Sequence, residues 1–246
     1  MNVVFISSNS GLETALKKCF EEKEWNFYEC SSITKSFHNF FEHKIDAVIL
    51  DCFKKLKTIA EIKILLKENI KKIIVLENGN NYYLNNNVEP PYSVYKEFKL
   101  KNKLSRDIRK IENIIKEKIN KCTFFRISEL YGPNINLGLI YRLFHEKKIT
   151  LNEGVRDFVY EGDLIHAIEI ALVEETFGIF DIANGKSEDL KEKVVKLVNK
   201  YRKNELKVRW RSKENILYNC ENFKYYKWEP LVNIEIGLKT SKKLTK

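Results

Sequence analysis

The chain has 246 residues, of which 43% are hydrophobic, and its 44 basic and 34 acidic residues give a net charge of +10. That apolar content is enough to build a sizeable core, whereas no run of eighteen apolar residues or signal-like N-terminal segment occurs, so a cytoplasmic globular protein is expected. Five scattered cysteines without a Cys-x-x-Cys pair and four separated histidines provide no metal-ligand spacing.

The first half alternates short apolar runs with amphipathic ones, the pattern of parallel strands joined by crossover helices. It predicts a strand over 3–6, a helix over 12–22, a strand over 25–29 and a helix over 36–42. A strand over 47–50, a helix over 59–67 and a strand over 72–76 follow. An Asn-rich loop over 78–87 ends at Pro90-Pro91, where proline holds the preceding backbone extended. Between Lys96 and Lys121, ten Lys or Arg and four acids interleave with Leu100, Leu104, Ile108, Ile111, Ile115 and Ile119 at helical spacing. This reads as a long helix with one buried and one solvated face. Because the basic charge interleaves with that apolar stripe and no zinc finger or RNA-recognition signature accompanies it, no nucleic-acid partner is expected. Next come a strand over 123–126, a turn at Tyr131-Gly132-Pro133, a helix over 139–145 and an extended stretch over 158–160. A helix over 164–172, a strand over 179–182, a helix over 190–201 and a basic strand over 206–210 complete the series.

Arg156-Asp157-Phe158-Val159-Tyr160, followed by Gly162-Asp163-Leu164-Ile165-His166-Ala167, resembles the Arg-Asp-(Phe/Tyr)-(Val/Ile) segment and Asp-opened helix of nucleotide-sugar epimerases and dehydratases. Phe125-Arg126-Ile127-Ser128-Glu129-Leu130-Tyr131-Gly132-Pro133 is similar to their Arg-x-x-Asn-x-Tyr-Gly-Pro turn. Gly178-Ile179-Phe180-Asp181-Ile182-Ala183-Asn184-Gly185 resembles the next strand and turn, and Tyr226-Lys227-Trp228-Glu229-Pro230 with Ile236-Gly237-Leu238 resembles the closing pieces. The segments keep the order found in the extended short-chain dehydrogenase/reductases, the NAD-dependent epimerase/dehydratase family. The resemblance implies an α/β fold: a Rossmann-type doubly wound parallel sheet with a small C-terminal substrate-binding lobe. It divides the chain into a dinucleotide-binding region at 1–135 and substrate-lobe elements at 136–246, within one structural domain. It further implies NAD or NADP as cofactor, a nucleotide-diphosphate sugar as substrate of a hydride transfer, and a homodimer through the long helix.

In that family a Tyr-x-x-x-Lys pair does the acid/base work. A phenol with a pKa of about 10 is a poor base at neutral pH, so a lysine one helical turn away stabilises the phenolate. Two such spacings exist, Tyr92/Lys96 and Tyr95/Lys99. Tyr95/Lys99 is preferred because Leu100 follows its lysine and its distance from Arg126 suits the family. The resemblance makes this pair catalytic and places Lys99 on the cofactor ribose. The hydroxyl residue that normally assists is missing from Leu76-Glu77-Asn78-Gly79-Asn80-Asn81, where Asn78 or Asn80 offers a hydrogen bond instead.

A dinucleotide loop uses glycines to bring backbone N–H groups and a helix N-terminus to the pyrophosphate. The first strand here continues Ser7-Ser8-Asn9-Ser10-Gly11-Leu12-Glu13-Thr14. Gly11 remains, Ser8 takes the first glycine position, and Glu13 falls near the third. Glu13 suits an unliganded helix dipole but would repel a pyrophosphate about 5 Å away by about 3 kcal/mol at an effective dielectric of about 20. The resemblance assigns Ser8, Gly11 and Glu29 to the cofactor. It assigns Arg156 to the substrate diphosphate, by bidentate guanidinium geometry, and Glu129 to the position of a substrate-contacting Asn. Two readings stand: an NAD(P)-dependent nucleotide-sugar epimerase, dehydratase or reductase, and a catalytically inactive relative that serves as a binding or regulatory subunit.

Overall fold

A computed structural model of the protein describes residues 1–33, 44–54, 56–84, 88–96 and 98–241. The first half runs β1 (Asn2–Ile6), α1 (Leu12–Glu22), β2 (Asn26–Cys30), β3 (Ala47–Asp51), α2 (Ile59–Leu65), β4 (Ile73–Asn78), α3 (Gly79–Tyr83), α4 (Lys103–Lys118) and β5 (Cys122–Ile127). There follow β6 (Glu129–Tyr131), α5 (Gly138–His145), β7 (Lys148–Glu153), β8 (Val155–Tyr160), α6 (Glu161–Val173), β9 (Gly178–Ile182) and β10 (Ser187–Asp189). The chain closes with a π-helical turn (Leu190–Val194), α7 (Val195–Tyr201), β11 (Lys207–Lys213), α8 (Glu221–Lys224) and α9 (Ile234–Ser241).

Six strands pair in parallel in the order β2-β1-β3-β4-β5-β9. Central strands of such a sheet are covered on both faces and therefore read as continuous apolar runs; every residue of β3 and β5 is buried. One face packs Val3, Phe5, Ile49, Leu76 and Phe125 against Leu12, Leu16 and Phe20 of α1 and Leu164, Ala167 and Ile168 of α6. The other packs Val4, Ile6, Val48, Val75 and Phe124 against Ile62 and Leu65 of α2 and Ile111 and Ile115 of α4. Helices on both faces make the sheet doubly wound. β2 and β3 flank β1 on opposite sides, so the crossovers reverse there and leave a crevice beyond the strand C-termini. The lobe consists of the β10-β8-β6 and β11-β7 sheets backed by α5, α7 and α9.

The structure differs from the sequence expectations at several elements. The expected helix over 36–42 lies outside the described residues. The basic helix begins at Lys103, because the Asn102 side chain accepts the Leu104 N–H at 2.7 Å and caps it there. Ile108, Ile111 and Ile115, the stripe available for pairing with a second copy, are buried in this chain's own core. The Asn-rich stretch is not all loop. Asn78 accepts the Asn81 N–H at 3.2 Å and starts α3, which buries Tyr82 and Tyr83. The short strands β6 and β10, the strand β7, and helices α8 and α9 also went unread. Among the described residues no helix is long and apolar enough to cross a membrane, and no group of three or more His, Cys, Asp or Glu side chains is placed to hold a metal.

Candidate functional site

The turn over 7–11 joins β1 to α1 at the mouth of the crevice. Gly11 has φ +92°, and a Cβ there would lie 1.8 Å from the Asn134 carbonyl oxygen. Its glycine is required by the close approach of the segment over 134–136, whose Asn136 N–H bonds the Ser10 carbonyl at 3.0 Å. Glu13, in the first turn of α1, reaches back so that its two oxygens accept the Gly11 N–H at 3.2 and 3.1 Å. One of them also accepts the Ser7 hydroxyl at 3.3 Å. Asp51, at the end of β3, accepts the Ser8 N–H at 3.1 Å, the Ser10 hydroxyl at 2.7 Å and the Phe53 N–H at 2.9 Å. The Asn9 N–H donates to the Ser7 hydroxyl at 2.9 Å and the Leu12 N–H to the Ser10 hydroxyl at 3.3 Å. Lys54 donates to the Asn9 carbonyl. Glu29, at the end of β2, is pushed above the usual carboxylate range by partial burial and then by Glu13. A pyrophosphate at a helix N-terminus needs free backbone N–H groups and no competing anion. Here the N–H groups of Ser8, Asn9, Gly11 and Leu12 are already engaged and the Glu13 carboxylate stands among them, so the residues as arranged do not fit a dinucleotide phosphate.

The tyrosine and lysine candidates are not brought together. Tyr95 lies in a turn before α4, 76% exposed, and Lys99 is exposed and also precedes the helix, so the two share no helical face. Tyr92 is buried, with its ring stacked on Tyr83 at 5.0 Å and edge-on to Tyr218 at 5.5 Å. Lys96 donates to the Glu89 carbonyl at 2.7 Å. Burial, followed by the charge of Glu214, pushes the Tyr92 phenol upward against the pull of Arg156.

Tyr218 is a residue that the sequence reading missed. Its hydroxyl lies 2.7 Å from where a Cβ on Gly79 would be, and it donates to the Asn80 amide oxygen at 2.7 Å. The Asn80 amide in turn donates to Glu129 at 2.9 Å. The alternation of Ile216, Tyr218 and Cys220, all buried, was the available signal.

Between the C-terminal edge of the sheet and the lobe lies a cleft of about 500 Å³. Asn80, Glu129, Arg142, Asn152, Arg156 and Arg211 line it, drawn from α3, β6, α5, β7, β8 and β11. Arg156 is nearly buried and donates to the Glu214 carboxylate and the Val155 carbonyl, each at 3.1 Å. Arg142 pairs with Glu146 at 2.7 Å, one helical turn away. Arg211, on β11, is exposed. Burial pushes the Glu129 carboxyl upward, opposed by Arg156, the Leu139 N–H and Asn80.

The remaining acids of the family-like segments hold backbone together. Asp157 accepts the Asn184 and Gly185 N–H groups at 2.8 and 3.0 Å, although burial raises it to about 7. Asp163 accepts the Leu231 and Val232 N–H groups at 3.0 and 3.2 Å, while its own carbonyl receives the Trp228 indole at 2.9 Å. Arg126 is buried against Tyr82, 3.5 Å from the ring centroid, and paired with Glu112.

The strand order, the helices on both faces and the cleft against a C-terminal lobe define a Rossmann-type α/β fold of the epimerase/dehydratase kind. Solved structures share it along the whole chain. MoeE5 in complex with UDP-glucuronic acid and NAD matches with a TM-score of 0.80 at 11% identity, covering 100% of this chain and 99% of that one. UDP-glucose 4-epimerase from Thermotoga maritima, with UDP-glucose, matches with a TM-score of 0.79 at 17% identity, covering 99% and 98%. ADP-L-glycero-D-manno-heptose-6-epimerase from Helicobacter pylori matches with a TM-score of 0.77 at 15% identity, covering 98% and 94%. No family model and no curated protein matches the chain. At these identities the likeness is one of fold.

Proposed function

We propose that the protein binds a nucleotide-diphosphate sugar in the cleft between sheet and lobe, as a binding or regulatory member of this fold and not as a hydride-transfer enzyme. The observation that carries this reading is the convergence of Arg142, Arg156 and Arg211, from three different elements, with the amides of Asn80 and Asn152 on one cleft. Guanidinium groups match the paired oxygens of a diphosphate, and a partly desolvated site strengthens that attraction. Arg211 is exposed and free to turn toward the ligand, Arg156 is held ready by Glu214, and the amides offer donors to sugar hydroxyls. UDP-glucuronic acid and UDP-glucose are the ligands of two of the structural neighbours.

The hydride-transfer reading needs a phenol and an ammonium on one helical face beside a dinucleotide. An exposed Tyr95 ahead of the helix gives it no support. NAD and NADP, the cofactors that the resemblance implies, would meet in the crevice the Glu13 carboxylate and a turn in which the Ser8, Asn9 and Gly11 N–H groups are already taken. No chemical step is therefore assigned to them.

Calorimetric titration with UDP-glucose and UDP-glucuronic acid, without added dinucleotide, tests the proposal. Micromolar binding is expected, weakened at least tenfold in Arg211→Gln. Absence of binding at millimolar ligand would overturn it.

A further inference from the structure

We infer that Glu13 is a built-in anion: its carboxylate holds the phosphate seat of the crevice at the N-terminus of α1 and thereby closes that crevice to a dinucleotide. The inference is independent of the arginine-lined cleft.

Four observations converge on it. First, both oxygens of Glu13 engage the N–H of Gly11, the residue at the helix start, and one also takes the Ser7 hydroxyl. Second, the neighbouring N–H groups are consumed as well: Ser8 by Asp51, Asn9 by Ser7, and Leu12 by Ser10. Third, the backbone at Asn134 and Asn136 closes over Gly11 and Ser10 from the lobe side. Fourth, Asp51 and Glu29 add two more acids to the same mouth, and the Glu29 carboxyl is raised first by burial and then by the charge of Glu13.

An ordinary acid in a first helical turn complements the dipole from the surface. Glu13 does more, because it lies at the strand-order switch point, where this architecture receives the phosphates of a ligand. A carboxylate attached two residues from the N–H that it binds competes at very high local concentration with any phosphate arriving from solution. Gly11, which reads in sequence as the surviving phosphate glycine, serves the close approach of Asn134.

The test is NADH titration followed by fluorescence, with a parallel thermal-shift titration using inorganic pyrophosphate, on the full chain and on Glu13→Gln and Glu13→Gly. The wild type is expected to show neither binding nor a shift at millimolar ligand. Glu13→Gln keeps an acceptor for Gly11 but removes the charge, and should gain at least tenfold in NADH affinity; Glu13→Gly should gain more. Micromolar NADH binding by the wild type would overturn the inference. So would a folded Glu13→Gln, with unchanged circular dichroism, that still fails to bind. Should Glu13→Gly not fold, the Gln variant decides alone. UDP-glucose binding at the arginine cleft should be the same in all three proteins. Its loss in all of them would refute the proposed function and leave the Glu13 result intact.

Discussion

Replacing Glu77 by Gln should stabilise the protein, whereas replacing Glu112 by Gln should damage it severely, although both acids are buried within reach of the same arginine. Arg126 lies between them in the core, bonded to Glu112 and 3.8 Å from Glu77, with all three side chains almost fully buried. Glu112 pairs with two guanidiniums, Arg126 and, at 3.0 Å, Arg109, whereas Glu77 meets Arg126 at 3.8 Å. Glu112 holds the direct contact, and neither Glu77 oxygen has a hydrogen-bond donor among the described residues. Burial and then the neighbouring Glu112 push the Glu77 carboxyl well above the usual range, against the weaker pull of Arg126. A Gln at position 77 keeps the shape without the cost of desolvating a charge or holding a proton, and a gain of about 1 kcal/mol is expected. Glu112→Gln removes the carboxylate that pairs with both Arg109 and Arg126 and leaves the buried Arg126 guanidinium only the more distant Glu77, which costs about 3–5 kcal/mol. Because the folded pKa of Glu77 is raised, the native state binds more protons than the unfolded chain above the usual carboxylate range. That part of the wild-type stability is full at low pH and is lost as pH rises toward the folded pKa. The advantage of Glu77→Gln should therefore widen with pH, as read by urea unfolding at several pH values. Equal destabilisation by the two variants, or a gap independent of pH, would refute the reasoning.

Glu129→Gln should tighten binding of a nucleotide-diphosphate sugar several-fold near neutral pH by removing a like charge from the cleft. The gain should vanish on acidification, as the raised carboxyl of Glu129 takes up its proton in the wild type; calorimetry across pH checks this. Gly11→Ala should lower stability by about 2–4 kcal/mol, since it combines a left-handed φ with a backbone clash. Gly178→Ala, also at positive φ but with its nearest neighbour 3.8 Å away, should cost only about 1 kcal/mol in the same unfolding assay.

Much of the sheet was legible because its strands are buried on both faces. Runs such as Val3 to Ile6 and Ala47 to Leu50 have no other reading in a chain of this polarity, and the expected bounds of α1 match those observed. The lobe was less legible. β11 buries one face only, so Val208 and Trp210 alternate with Lys207, Arg209 and Arg211, and its parallel pairing with β7 joins segments far apart in sequence. The misfit of the phosphate turn could be read from the identity of Glu13. Its bond to Gly11 could not, since that depends on how a side chain curls within one helical turn. The tyrosine–lysine spacing misled because spacing says nothing of where a helix starts. Asn102, an N-cap residue type, was the mark that placed the start beyond Tyr95 and Lys99. Tyr218 stayed hidden because its partners lie in α3 and at Tyr92, contacts between segments more than a hundred residues apart.

The placement of Tyr218 and β9 bears on how the chain is made. β9 joins the sheet beside β5 only after the whole of β6 to α6 has been synthesised, and Tyr218 reaches Asn80 later still. A growing chain that has just completed β5 therefore carries a five-stranded sheet with an open edge and an unfinished cleft. Contacts of such long sequence separation form slowly. The cleft wall is thus among the last parts of the molecule to close.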